Sequence, residues 1–141
     1  MDFYLKTFGE LTTSELYEIL KSRQDIFGFE KGMRCRDIDG IDPEAMHCIL
    51  CEKGSLIAYL RVLKKDEELR LGRVITLTHG LGHGKILMNK TLGALKSAYP
   101  GAKITVHAQY DAVGFYKRCG FCVTSDEFIE EGVRHFAMEL M

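Results

Sequence analysis

The stretch Val74–Met88, VITLTHGLGHGKILM, constrains the fold of this chain more than any other. It opens as an apolar, β-branched run, passes through His79-Gly80-Leu81-Gly82-His83-Gly84, and continues with the apolar spacing of a helix. Three glycines at alternate positions let a backbone bend sharply and approach a ligand with no Cβ in the way. A helix that starts at such a turn presents unpaired N–H groups and the positive end of its dipole. Strand, bare turn and helix N-terminus then form a seat for an anion, most often phosphate. The plain alternative is a glycine-rich β–α connection that binds nothing.

Two phosphate-binding patterns do not fit. A P-loop needs glycine five residues before its Gly-Lys and Ser or Thr after it. Here Gly84-Lys85 has His79 and Ile86 at those places. The dinucleotide fingerprint needs G-x-G-x-x-G and an acidic residue closing the next strand. This turn reads G-x-G-x-G, and the next strand candidate, Lys103 to Ala108, ends without a carboxylate.

Bulk properties narrow the classes further. A chain of 141 residues fits a single domain, 1–141, and a chain of this size buries roughly two-thirds of its unfolded surface. With 46% hydrophobic and 28% charged residues it has the make-up of a soluble globular protein. A net charge of −1 gives no basic field for nucleic acid. No apolar run approaches the ~20 residues of a membrane span, and MDFYLKTFGE lacks the apolar core of a signal peptide. A cytoplasmic protein with its five cysteines reduced is expected. Cys48/Cys51 and Cys119/Cys122 have C-x-x-C spacing, which raises zinc. Cys48 to Cys51 lies in a strand-like run, however, which points the two sulfurs to opposite faces. The expectation is no metal and small buried hydrophobes.

In chain order, Phe3 to Phe8 reads as a short strand. Thr12 and Glu15 form a capping box for a helix to about Phe29, with Leu16, Leu20, Arg23 and Phe27 along its stripe. Arg23 at the edge is expected to lay its stem on apolar surface and send its head to water. Gly32 to Pro43 mixes turn formers with alternating charge. It reads either as a solvated loop or as a loop over an active site, with Asp37, Asp39 and Asp42 hinting at a cationic substrate. A calcium loop is excluded, because the twelfth position from Asp37 is Cys48. Ala45 to Cys51, Leu56 to Lys64 and Leu69 to Leu77 form an antiparallel meander that runs into the glycine turn. Gly84 to Tyr99 is a helix with Met88, Leu92, Leu95 and Tyr99 on one face. A helical crossover makes Lys103 to Ala108 parallel to its predecessor. Asp111 caps a short helix, Ala112 to Arg118. Phe121 to Thr124 is a strand, and Phe128 to Glu130 with Arg134 to Leu140 closes a hairpin. The fold class is α+β: a three-layer α/β/α sandwich with a mixed, mostly antiparallel sheet.

This element order and two motifs resemble the GCN5-related N-acetyltransferases (GNAT) over nearly the whole chain. His79 to Gly84 is similar to their pyrophosphate loop, [Arg/Gln]-x-x-Gly-x-Gly/Ala, with His79 where Arg or Gln is usual. Phe115-Tyr116 and Gly120-Phe121 resemble their second signature. Arg23, Phe27, Glu30, Asp37-Ile38-Asp39-Gly40, Gly72-Arg73-Val74-Ile75, Leu87-Met88, Lys90-Thr91-Leu92 and Ala108-Gln109 narrow the likeness to the ElaA-like branch. The segment from Arg73 to Gly80 is shorter than usual.

The resemblance implies transfer of the acetyl group of acetyl-CoA, a co-substrate, to a primary amine of a small molecule or peptide by direct attack in a ternary complex. It implies a pyrophosphate on backbone N–H groups of Gly80, Leu81, Gly82, His83, Gly84 and Lys85, with His79 beside them as a cofactor-binding residue. Pantetheine would run along Ile75, Thr76 and Leu77, with an N–H near Leu77 on the thioester carbonyl. Gln109 would bond its amides, and Phe115 and Tyr116 would border it. Tyr116 would protonate the leaving sulfur. His107, on the strand beside the donor, is one candidate base; Glu30 and Asp37 are others. His47 and His135 show no partner pattern. The chain would act as monomer or homodimer. The alternatives are a non-catalytic acyl-CoA sensor of the same fold and, last, an acyl-homoserine-lactone-type synthase.

Overall fold

The structure, a computed structural model, describes residues 1–34 and 36–141. Cys35, one of the five thiols expected to be reduced, lies outside the described residues. An eight-stranded sheet runs through the chain in the order β1-β2-β3-β4-β5-β8-β6, with β7 also on β8. The strands are β1 Asp2–Thr7, β2 Met46–Glu52, β3 Ser55–Lys65, β4 Glu68–Thr76, β5 Lys103–Gln109, β6 Phe121–Val123, β7 Phe128–Glu130 and β8 Val133–Leu140. Helices α1 (Thr13–Arg23), α2 (His83–Ala98) and α3 (Val113–Arg118) cover its two faces. The α2 crossover makes β4 and β5 the parallel pair, and every other pairing is antiparallel. The mixed, mostly antiparallel sandwich read from the sequence is what the chain forms.

Alternation along each strand builds two cores. Cys48, Leu50, Leu60, Val62, Leu69, Leu71, Ile104 and Val106 face Leu87, Met88, Leu92 and Leu95 of α2 and Tyr116 of α3. Ile49, Tyr59 and Ile75 face Ile19 of α1 and Ile26. Cys48 belongs to the first core and Cys51 packs against the second, so this C-x-x-C pair is split across the sheet. Burial pushes the Cys48 thiol up to about 12. Among the described residues, no helix is long and apolar enough to cross a membrane.

The Thr12 capping box forms as expected: the Glu15 N–H donates to the Thr12 hydroxyl at 3.0 Å, and the Glu15 carboxylate takes the Thr12 N–H at 2.8 Å. Regular α-helix ends at Arg23, and the coil widens to a π-helix over Gln24–Glu30. Such widening is frequent at functional sites.

The expectation that Arg23 sends its head to water is wrong. Arg23 is 0% exposed. Its Nε donates to Asp37 at 3.0 Å, Nη1 to Asp42 at 2.7 Å, and Nη2 to the Asp37 carbonyl at 2.8 Å. Arg61 on β3 donates to Asp39 at 2.6 Å and to Asp42 at 3.0 Å. Arg73 pairs with Asp37 at 2.9 Å and with Asp39 at 3.3 Å. The aspartates therefore tie their loop to the sheet and α1, rather than standing free for a cationic substrate. Arg61 holds the Asp39 carboxyl well below its ordinary value. Burial alone would raise Asp42, but Arg23 and Arg61 outweigh it and hold it low.

His47 is also buried and partnered. Its Nε2 lies 3.0 Å from the Asp42 carbonyl, which only accepts, so Nε2 carries the proton. Nδ1, 2.7 Å from the Tyr59 hydroxyl, then accepts. Burial lowers the His47 pKa.

Candidate active site

The site begins where β4 and β5 part. Their ladder runs from Glu68↔Lys103 to Leu71↔Val106 and stops. Beyond it, β4 stays on β3 as far as Thr76↔Ala58, while β5 stays on β8 as far as Gln109↔His135. The cause is a bulge on β4: Arg61 faces Gly72 while Tyr59 faces Ile75, and Arg73 takes a φ of 52°. The opened fork is bordered by Val74–Thr76 on one side and His107–Gln109 on the other.

A cleft of about 500 Å³ lies at the end of β4 and the start of α2. Gly80 and Gly82 sit at φ of 82° and 75°, where a side chain is strained, and Gly82 is the N-cap of α2. A Cβ on Gly84 would lie 3.4 Å from Thr76 Cγ2 and 3.5 Å from the Phe115 ring, so helix, strand and α3 meet closely there. The Ile86 N–H is bonded to the Gly82 carbonyl. The first-turn N–H groups before it have no helical acceptor and face no acidic residue of their own turn. Lys31, Lys85 and Arg118 border the cleft against one carboxylate, Asp111. His83 Nδ1 is buried without a partner among the described residues. A cradle of free donors, positive charge and an unpaired buried nitrogen fits a pyrophosphate.

A second cleft, of about 390 Å³, lies on the α1 side of β4, β5 and β8. Lys31, Val74, Ala112 and Tyr116 border both clefts, so the two meet across them. Tyr116 is 6% exposed and packs edge-on between Phe115 and Phe121. Burial raises its pKa well above a free phenol's, which keeps the O–H protonated as a hydrogen-bond donor.

Ile75, Thr76, His79, Gly80, Gly82, His83, Gly84, Lys85, Phe115 and Tyr116 all line the first cleft; Leu77 and Leu81 do not. The Leu77 N–H donates to the Ile57 carbonyl at 3.0 Å, so it is engaged in the β3–β4 ladder and not turned to a thioester. Alternation turns the Thr76 N–H the other way, into the fork. Gln109 lines the second cleft, accepting from Lys31 Nζ at 3.0 Å. His107 is also there, with Nδ1 3.2 Å from Glu130 and its ring edge-on to Phe128. Glu30 lines neither cleft; its carboxylate bonds His79 at the mouth of the first. Asp37 lines the second cleft, already paired with Arg23 and Arg73. Asp111 makes no cap bond, and a 3₁₀ turn over Tyr110–Ala112 leads into α3 instead. His135 Nδ1 donates to the Val133 carbonyl at 2.8 Å, and its Nε2 lies 3.9 Å from the Glu130 carboxylate.

Sequence reasoning missed Lys31 and Arg118, which border the first cleft, and Arg70 and Glu130, which line the second. Lys31 directly follows Glu30 but lies outside any motif. Glu130 is placed beside His107 only by the β7–β8 hairpin, which no local pattern foretells.

Residues 30–141 match the family described as "Acetyltransferase (GNAT) domain". Protein ElaA of Escherichia coli is 33% identical over 137 residues, covering 92% of this chain and 90% of that protein. The crystal structure of Escherichia coli ElaA superposes with a TM-score of 0.90 at 30% identity, covering 99% of each chain. An acyl-CoA N-acyltransferase from Pseudomonas aeruginosa gives 0.91 at 27% identity, covering 100% of each. An Arabidopsis thaliana protein solved with the bisubstrate analogue CoA-Ac-MVNAL shares the fold, with a TM-score of 0.71 at 20% identity and 100% of each chain covered.

Proposed function

This chain belongs to the GNAT acetyltransferase family, in its ElaA-like branch, and from that premise we propose that it is a cytoplasmic N-acetyltransferase, a single domain over 1–141, which moves an acetyl group from acetyl-CoA to a primary amine. The observation that carries this reading is the junction of two clefts across Val74 and Tyr116. One cleft has the donors and charge that suit a pyrophosphate; the other is polar and open to an acceptor. The bisubstrate analogue on the Arabidopsis thaliana neighbour joins coenzyme, acetyl group and peptide in one molecule, a pairing that two such clefts would accommodate.

The backbone from Gly80 to Lys85 holds the diphosphate. Val74 to Thr76, left without a strand partner on the fork side, offers main-chain bonds to the pantetheine amides. The Thr76 N–H replaces Leu77 as the donor for the carbonyl oxygen, whose negative charge grows as the amine attacks. His107 accepts the amine proton through Nε2, its Nδ1–H held by Glu130. The C–N bond forms as the C–S bond breaks, and the sulfur is met by the Tyr116 O–H. A phenol of raised pKa is a weak acid toward a thiolate, so Tyr116 chiefly stabilises the sulfur by hydrogen bonding, and the thiolate takes its proton from solvent.

Tyr116→Phe tests this. An enzyme should lose about 10²-fold or more in kcat, the scale of one hydrogen-bond donor to charge that develops in the transition state, while acetyl-CoA binding stays within about twofold. Unchanged turnover would remove Tyr116 from the chemistry. Coenzyme binding with no acetylation of any amine by the wild type would favour the non-catalytic sensor.

A further inference from the structure

The second cleft carries charge of both signs, with Lys31, Arg36 and Arg70 on its lining beside Glu130 and Glu131. Its floor is Gly72, whose φ is not in the left-handed region, so glycine is not needed there for the backbone. What it leaves is room: a Cβ built on it would come no closer than 4.0 Å to any atom, the nearest being Arg61 Nε. On one side of this gap stand His107 and Glu130, with His135 Nε2 3.9 Å from the same carboxylate. On the other stands Arg70, two residues before Gly72 on β4. Its cross-strand partner is Thr105, two residues before His107 on β5. Arg70 and His107 therefore stand diagonally on neighbouring strands in successive rows of the same sheet face, with Gly72 next to both.

The arginines around this cleft differ in how their donors are used. Arg61 and Arg73 are each held by two aspartates, and Arg23 behind them uses all three nitrogens. Arg70 makes one long contact, from Nη2 to Glu68 at 3.3 Å. Glu68 itself is held more tightly by the Thr105 hydroxyl, at 2.6 Å. Arg70 Nε is shielded from solvent with no partner among the described residues, as is Arg61 Nε; what sets Arg70 apart is that its one carboxylate contact is the 3.3 Å one to Glu68, on a side chain that is 43% exposed. A guanidinium with most of its fork unused, facing a cavity, is a receptor for a planar anion such as a carboxylate.

We infer that the acceptor is a free amino acid or close analogue: an amine whose carboxylate is taken by Arg70 while its amino group lies over Gly72, between His107 and Tyr116. This rests on the acetyl-transfer reading above and names the substrate class of that site. The cleft's volume of about 390 Å³ is on the scale of a small metabolite. Glu130 draws the ammonium form in; that form sheds one proton to solvent before attack, and His107 takes the second as the C–N bond forms. A peptide N-terminus or a polyamine lacks the adjacent carboxylate and leaves Arg70 unpaired.

The test is acetylation of matched triplets, each an L-amino acid, its amide and its decarboxylated amine, followed by release of the CoA thiol, with acetyl-CoA binding measured by calorimetry on the same protein. The amino acid should have the lowest KM of each accepted triplet. Arg70→Gln should raise that KM at least about tenfold, a loss of about 1.4 kcal/mol. It should leave the KM of the decarboxylated amine, the kcat and the acetyl-CoA affinity unchanged, and Arg70→Lys should restore part of the loss. Equal use of all three members, or an equal KM rise for all three in Arg70→Gln, overturns the inference. Acetyl-CoA binding with no amino acid accepted overturns it alone. If acetyl-CoA fails to bind the wild type, the acetyl-transfer reading fails and takes the inference with it.

Discussion

The residues that hold this site together are ones whose charge is hidden. Arg23, Asp42 and Arg61 are nearly or wholly buried, and Asp42 accepts from both arginines at 2.7 and 3.0 Å. Removing one partner from such a set strands the others in a medium that solvates charge poorly. Asp42→Asn should therefore cost about 3–5 kcal/mol of unfolding free energy, read as a lower urea midpoint at unchanged slope. An exposed pair such as Lys21–Asp25, at 3.1 Å, should by contrast leave the urea midpoint essentially unchanged when Asp25 is changed to Asn. The network also reaches the cleft, because Arg73, at a φ of 52°, is the bulge residue that turns β4 away from β5.

At the scale of elements, the sequence was legible wherever local chemistry decides the outcome. The Thr12–Glu15 capping box, the glycine turn into α2 and the parallel β4–β5 pair follow from short-range rules, and each is present. Elements failed to announce themselves where distant residues decide. Arg23 has the spacing of an edge residue on a helical stripe, and only the return of Asp37 and Asp42 over it makes burial tolerable. The parting of β4 and β5 depends on a bulge that reads in sequence as an ordinary strand. The first cleft, built from one contiguous motif and α3, was therefore largely foreseen in its residues. The second draws on α1's extension, the aspartate loop, three strands and the last hairpin, and Arg70 and Glu130 were not foreseen. Glu30, one of three candidate bases, bonds His79 at the cleft mouth.

For the whole molecule, the buried titratable groups set the pH range of the fold. Asp39 and Asp42 have lowered pKa values, so their stabilisation is present above an unfolded carboxyl's value of about 3.9 and is lost as pH falls below it. His47 is buried neutral with a lowered pKa, so below about 6.5 the unfolded chain takes up a proton that the folded one refuses. Cys48 and Tyr59 are raised by burial, so above about 8.5 the unfolded chain ionises first. Urea midpoints should thus form a plateau between about pH 6.5 and 8.5 and fall on both sides. A midpoint that rises from pH 7 to pH 5 would contradict this.

Acetyl transfer requires the first cleft to seat an acyl-CoA. Titration calorimetry of acetyl-CoA into the wild type and into Lys85→Glu tests that most directly. Lys85 is exposed on the first turn of α2, so reversing its charge alters the anion seat without disturbing the core. The wild type should bind in the micromolar range, about −8 kcal/mol, and Lys85→Glu should bind at least about tenfold more weakly, with the difference shrinking at high salt. No heat from the wild type, or equal affinity in the two proteins, would contradict the placement of the diphosphate on the Gly80–Lys85 turn.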